Sequence, residues 1–319
     1  MGCLSGDSPF QRFIRQSKNQ LKRGKIFVDT FEIMTDSSSN LTPDLAQEAR
    51  IDVIPLTCMT PNGEMPCYDD SKLFDGHSFY DSLRRTGPVK TSMVNMAQFM
   101  QAFEPVVKAG KDILYVAMSS GISGTCAAAR QAAAELMKEY PGRVIRVVDT
   151  LAASFGEGIF ALKASVMRRA KASLDTAAEW AESNKRRMCQ FFTVDDLMFL
   201  HKGGRISSLT ARIGSLANIK PLLMGDAEGK IVSCGKVIGR KKSLQALADL
   251  FDKHAGKSPD EMVAIAHGDC EEDAQYLVNL LKRKRDIKDV LVRCYEPGTG
   301  SHVGPGAVAL FFLSPTPCK

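Results

Sequence analysis

From Phe31 onward, short apolar runs alternate with longer stretches of helical periodicity, and Gly, Pro and Asn punctuate the joins. A strand that alternates with helices must be rejoined by crossover connections, so this pattern specifies a largely parallel sheet with helices on both faces. Residues 31–35 read as the first strand and 36–40 as a polar turn. A short helix is expected over 41–50, with Pro43 near its start. A second strand is expected over 53–59, followed by the turn Thr60-Pro61-Asn62-Gly63. Helices at 71–85 and 96–108, a buried strand at 113–118, an Ala-rich helix at 125–140 and a strand at 144–148 continue the alternation. Two helices then follow without an intervening strand, at 158–172 and 174–186, which marks a change of organisation. Beyond it come a strand at 189–194, a Gly-Gly loop, a helical stretch near 207–218 and a hairpin with arms near 222–224 and 230–236. A helix at 243–255, a strand at 262–266, a helix at 271–285 and strands at 290–295 and 307–313 complete the reading. The expected fold class is α/β: a domain at 31–186 with a mostly parallel sheet, and a domain at 187–319 with a mixed sheet, preceded by an extension over 1–30.

Composition narrows the function. The longest clean apolar run, at 307–313, falls far short of the roughly 20 residues a membrane span needs. Net charge is +6. Residues 1–25 hold six basic side chains and one acid, so the remainder is nearly neutral. That argues against nucleic acid as a partner, because such binding rests on a basic face that neutralises phosphates. In the extension, Phe10, Phe13, Ile14 and Leu21 fall on one helical face among basic residues. This reads as a helix that packs on the body or as a basic amphipathic helix that touches a membrane surface or partner. The nine cysteines show no C-x-x-C pair and no zinc-finger spacing, so they read as reduced, mostly buried side chains of a cytoplasmic protein. Met1-Gly2-Cys3-Leu4-Ser5-Gly6 lacks the Ser or Thr of a myristoylation start, and no secretory leader is evident.

Four constellations could carry chemistry. Ser119-Ser120-Gly121-Ile122-Ser123-Gly124-Thr125 follows a buried strand and opens a helix. Its small residues let backbone N–H groups face an anion at a helix N-terminus, with hydroxyls of Ser123 and Thr125 as donors. It approaches the serine-hydrolase elbow but has Thr125 where a glycine should close it. Lys90-Thr91-Ser92 precedes the helix at 96 and could converge with Ser123 at the carboxyl edge of the sheet; Ser92 or Asn95 could equally cap that helix. Gly298-Thr299-Gly300-Ser301-His302-Val303-Gly304-Pro305-Gly306 reads as a glycine-rich loop that presents one histidine. His77, His201 and His254 read as surface. Arg205, after Gly203-Gly204 and near Asp195-Asp196, could reach an anion or a partner surface, or simply be solvated. Gly256-Lys257-Ser258 resembles the end of a P-loop, but Phe251 stands where its first glycine belongs, and no metal-ligand cluster is evident.

Taken in order, these segments resemble the DegV family, bacterial fatty-acid-binding proteins that serve as the acyl-carrying subunit of fatty acid kinase. The matching pieces begin with Thr35-Asp36-Ser37-Ser38, Val53-Ile54-Pro55-Leu56, Lys90-Thr91-Ser92, the 119–125 loop and Ser154-Phe155-Gly156-Glu157-Gly158. They continue with Asp195-Asp196-Leu197, Gly203-Gly204-Arg205-Ile206-Ser207, Asn218-Ile219-Lys220-Pro221, Gly239-Arg240-Lys241-Lys242, His267-Gly268-Asp269, the 300–306 segment and the 307–312 strand, about 280 residues in all. The resemblance implies two α/β domains with a long-chain fatty acid between them. It implies carboxylate binding at Thr91 and Ser92, at Ser123, Gly124 and Thr125, and at His302. It also implies a separate ATP-dependent kinase subunit as partner, a role in phospholipid metabolism, and no cofactor or metal. Such a site would hold the carboxylate by hydroxyls, N–H groups and one neutral histidine, without a fixed positive charge. Two departures stand out: Met93-Val94-Asn95 follow Ser92 where the family has Gln-Pro-Ser, and residues 1–30 lie outside its pattern. The alternative reading is a serine hydrolase or acyltransferase using Ser123 and His302.

Overall fold

The structure is a computed structural model that describes residues 31–60, 63–207, 218–256 and 262–318. Strand β1 (Phe31–Asp36) is flanked in parallel by β2 (Ile51–Ile54) and β6 (Asp112–Ala117), and β6 pairs with β7 (Ile145–Asp149), giving the order β2-β1-β6-β7. The chain leaves β1 to one side and returns on the other. The carboxyl ends of β1 and β6 therefore flank the place where the winding reverses, and a crevice opens there. Helices α1 (Pro43–Ala49), α3 (Met96–Lys108), α4 (Thr125–Glu139), α5 (Phe155–Arg169) and α6 (Leu174–Asn184) belong to this part; α2 (Gly76–Thr86) starts at its Asp75 cap, five residues later than expected. Asn95 and Gln98 form a capping box on α3, so the cap is Asn95 and not Ser92.

The expected strand at 53–59 is two strands. Pro55 has no N–H to give a ladder, and pairing passes to a small antiparallel sheet of β3 (Thr57–Thr60), β4 (Gly63–Pro66) and β5 (Lys90–Ser92), in the order β4-β3-β5. The mixed sheet expected after 187 is present. It contains β8 (Met188–Thr193), β9 (Ile219–Gly225), β10 (Ile231–Ile238), β11 (Val263–His267), β12 (Val290–Cys294) and β13 (Val308–Leu313), in the order β10-β9-β8-β13-β11-β12. All its pairings are antiparallel except β11 with β12. Helices α7 (Met198–Lys202), α8 (Arg240–His254), α9 (Glu271–Lys284) and α10 (Pro297–Val303) complete it. The basic extension at 1–30, most of the stretch at 207–218, and residues Pro61, Asn62, Lys257 and Ser258 lie outside the described residues.

One apolar cluster joins the two larger sheets. Phe31, Ile33 and Leu114 of the first and Phe192, Ala266 and Phe311 of the second meet around α5, with the Phe155 and Phe311 rings 6.4 Å apart. The β9–β10 hairpin then crosses to the first sheet, where Ser119 Oγ donates to the Gly229 carbonyl at 2.8 Å. Gly121 makes this approach possible, since a Cβ there would stand 2.5 Å from the Glu228 oxygen. The expectation that every cysteine is reduced does not hold: Cys189 and Cys318 form a disulfide. Hydrogen bonds from Ser314 N to Arg187 O and from Cys318 N to Arg186 O lay the tail beside the start of β8 and bring the two thiols together. Cys58, Cys67, Cys126, Cys234, Cys270 and Cys294 are free.

Helix α5 crosses the turn after β1 so closely that a Cβ on Gly158 would collide with the Ser39 carbonyl oxygen. Replacing a mid-helix glycine by alanine ordinarily stabilises by roughly 0.5–1 kcal/mol. Here Gly158→Ala is expected to reverse that sign and destabilise by about 1–3 kcal/mol, as overpacking does, measured as a lower urea midpoint with an unchanged m-value.

Candidate functional site

A cavity opens at the crevice predicted by the topology. It encloses about 840 Å³ of empty space, its open mouth included. Most of its surface is apolar, with Leu56, Met118, Ile122, Phe192, Ile231 and Phe311 among its walls. The mixed sheet and the small sheet contribute strand residues, and the parallel sheet contributes the segments that follow its strands, with Ser38, Leu56, Met118 and Ala152 among them. Four polar side chains singled out from the sequence line it together: Thr91, Ser123, Arg205 and His302.

His302 is on a helix, not in the glycine-rich loop expected. Pro297 sits at the first helical position, and the Glu296 side chain accepts hydrogen bonds from the Gly298 and Thr299 N–H groups, so this segment winds up as α10 despite its glycines. The helix places His302 Nε2 2.8 Å from Thr91 Oγ1. The Gly203 backbone lies against the ring, where a Cβ would collide with Nδ1, and Nδ1 has no partner among the described residues. Burial, assisted by the Arg205 charge, brings the His302 pKa down to about 4, so the ring is neutral at pH 7. With the ring hydrogen on Nε2, His302 donates to Thr91 Oγ1 and leaves the Thr91 hydrogen free for another acceptor. The opposite tautomer would strand an N–H donor at Nδ1.

Ser123 lies at the other side of the reversal point. Its Oγ accepts from Thr125 N at 3.2 Å and is 2.9 Å from Thr125 Oγ1. Thr125 is fully buried in the first turn of α4, Gly124 is exposed and makes room for the Met93 sulfur, and Ser92 follows Thr91 on β5; none of these three lines the cavity. Ser123 is thus bonded to Thr125 and His302 to Thr91. No carboxylate touches His302 among the described residues, so the arrangement a serine hydrolase needs is not assembled. Arg205 is half-buried, its guanidinium donates to its own loop at Gly203 O, and burial lowers its pKa. No acid pairs with it among the described residues. The expectation of a site without fixed charge therefore fails for the cavity as a whole.

Sequence reasoning missed several wall residues. Ser38 is one: its hydroxyl donates to Glu157 Oε2 behind the wall. Glu157 is fully buried, with Asp36 as its acidic neighbour and no cation against it among the described residues, and burial holds its pKa well above the usual carboxylate range. Thr35 Oγ1 lies 2.9 Å from Val116 O and 2.6 Å from Glu157 Oε1, yet it owns one hydrogen. Both contacts are satisfied only when Glu157 carries a proton and donates it to Thr35. Asp36, whose pKa burial also raises, accepts from Tyr115 Oη at 2.8 Å and Ser38 N at 3.0 Å.

Ser154 was missed too, although Ser154-Phe155-Gly156-Glu157 has the spacing of a capping box. The box does not form. Ser154 lines the cavity, its Oγ has no partner among the described residues, and Glu157 turns to Thr35 and Ser38. Ser154 also has φ 54° and ψ −143°, a conformation that favours glycine. Forgoing the cap costs about 1 kcal/mol, and the backbone strain about 1–3 kcal/mol more.

The other histidines divide. His77 is exposed as expected and sits by Asp81 and Asp269, where Arg84 also pairs with Asp269 at 2.6 Å. His201 and His254 are half-buried instead, and the His254 ring packs 5.4 Å from Phe191. His77, Asp81 and Asp269 bring potential ligand atoms within 4.8 Å of one another, proximity that spacing along the chain did not reveal, whereas the sulfurs beside His254 are tied up in the Cys189–Cys318 disulfide.

Comparison with known proteins places these features in a family. The model described as an uncharacterised protein of the DegV family matches residues 30–315. A DegV domain-containing protein of Clostridium perfringens is 40% identical over 286 residues, covering 90% of this chain and 98% of that one. A fatty-acid-binding DegV-family protein from Thermus thermophilus superposes with a TM-score of 0.78 at 27% identity, covering 89% of this chain and 99% of that one. The fatty-acid-binding protein DegV from Bacillus subtilis gives 0.75 at 25% identity, covering 90% and 100%.

Because its folded pKa is depressed, neutral His302 contributes stability above pH 6.5 that is lost as pH falls through about 4. Followed by NMR, the ring is expected to titrate with a midpoint near 4; a midpoint near 6.5 would show a solvated imidazole. Gly203→Ala is expected to displace the ring, break the Thr91 bond and move that midpoint up toward the ordinary value.

Proposed function

The chain belongs to the DegV family, and we propose that it binds a long-chain fatty acid in this cavity, with the carboxylate at the Thr91–Ser123–His302 end, and presents it to a separate kinase subunit. The observation that carries the reading is the convergence of those three groups and Arg205 on a single, otherwise apolar cavity. The free Thr91 hydrogen and the Ser123 hydroxyl supply neutral donors, with Gly124, Thr125 and Ser92 shaping the loops that hold them. Arg205 adds charge at the same wall, which suits either the carboxylate or a phosphoryl group being brought to it.

Affinity would come from the tail. Each buried CH₂ contributes about 0.8 kcal/mol, so a long acyl chain gains on the order of 10 kcal/mol before the costs of association. The kinase would transfer the terminal phosphoryl group of ATP to a carboxylate oxygen, leaving acyl phosphate on this protein and releasing ADP. Phospholipid metabolism and a cytoplasmic setting follow from that role. In this reading the chain itself carries no catalytic residue, in keeping with a sequence that completes no nucleotide-phosphate cradle. Residues 1–30 would add contact with a membrane surface. Among the described residues no helix is long and apolar enough to cross a membrane.

Delipidated protein titrated with palmitate and oleate is expected to show saturable binding of at least one. Ser123→Ala combined with His302→Ala should weaken it by about tenfold or more, as the loss of hydrogen bonds to a charged group does. Wild-type protein that binds neither acid would overturn the reading. In the presence of ATP and a DegV-family kinase subunit, acyl phosphate should form only when this chain is added.

A further inference from the structure

Helix α5 begins with two side chains that decline their local partners. The carboxyl group of Glu157 goes to Thr35 and Ser38. Ser154, 1% exposed, lines the cavity wall, has an Oγ without a partner among the described residues, and holds a φ of 54°. Stored strain and an unpaired buried hydroxyl at one residue are features of a ligand-contacting position. The surroundings say which part of a ligand reaches it. Ala152 and Ala153 precede it on the wall, and two residues further on a Cβ on Gly156 would stand 3.3 Å from the Phe311 ring. The nearby polar side chain, Gln190, is already engaged, donating to Leu151 O at 3.0 Å and accepting from Ala153 N. Thr91, Ser123, Arg205 and His302, the groups suited to a carboxylate, come from other elements.

Resting on the lipid-binding reading, we propose that Ser154 is a further ligand-contacting hydroxyl and that the acyl chain this cavity takes bears a hydroxyl group along its length. A serine hydroxyl both donates to and accepts from an alcohol, so one chain oxygen satisfies it. A plain methylene chain leaves it unpaired. The substrate class is a hydroxylated long-chain fatty acid.

The test titrates delipidated full-length wild-type, Ser154→Ala and Ser154→Gly proteins with stearate and with hydroxystearates that carry the hydroxyl near the carboxyl end, at mid-chain and near the methyl end. Wild type is expected to bind one hydroxystearate about tenfold more tightly than stearate, the size of one buried hydrogen bond. Both variants should lose that preference, read as the ratio of hydroxystearate to stearate affinity. Ser154→Gly should also raise Tm, because glycine adopts this φ freely, which shows that the fold is intact and the strain was local. Equal affinity of wild type for stearate and every hydroxystearate overturns the inference. So does an equal loss of stearate and hydroxystearate in Ser154→Ala, which would assign Ser154 to the carboxyl end. Wild type that binds no fatty acid at all is a different result, and overturns the lipid-binding reading on which this one rests.

Discussion

Helix α5 is covered on nearly every side. Twelve of its fifteen residues are buried, including Glu157, Ser165 and Arg168. A helix covered all round needs apolar layers on every face, and neither sheet alone supplies them. The parallel sheet covers it with Phe31, Ile33 and Leu114, and the mixed sheet with Phe192, Ala266 and Phe311. Its polar members are satisfied by groups from the first sheet and its flank: Arg168 donates to the carbonyl groups of Phe31, Ala49 and Arg50, and Ser165 to that of Ala49. Once this helix is enclosed, its first turn falls at the carboxyl ends of β1 and β6, where the winding of the sheet reverses. The cavity is what remains between the covering layers at that point.

The electrostatics of the cavity follow from how little water reaches it. His302 is kept neutral because burial and Arg205 both disfavour a second positive charge. Glu157 is kept neutral because burial and Asp36 disfavour a second negative one. Among the described residues of the wall the one charged side chain is Arg205, and the hydroxyls of Thr91 and Ser123 and the His302 imidazole line the same cavity. An anion entering here would meet that cation and dipoles already oriented, which requires little reorganisation on binding.

Most of the architecture was legible because its signals are local. The period switches that mark β1, β6 and α3 depend on nearby residues alone, and so does the small-residue loop at 119–125 that opens α4. Thr91, Ser123, Arg205 and His302 were findable as polar side chains set among small residues, although Thr91 lies on β5 and His302 on α10. What stayed hidden depends on partners distant in the chain. Glycines at 298–306 suggested a loop, while Pro297 and Glu296 were enough to start a helix. Ser154 and Glu157 spell a cap by spacing, but Ser38, 119 residues from Glu157, outbids it. The pairing of Cys189 with Cys318 follows from the tail lying beside β8, a long-range juxtaposition that no spacing rule encodes.

The hairpin contact between Ser119 and Gly229 means that the cavity wall is shared by segments from both larger sheets' parts of the chain rather than cut into one of them. A molecule lodged between them would touch both parts at once and act as mortar.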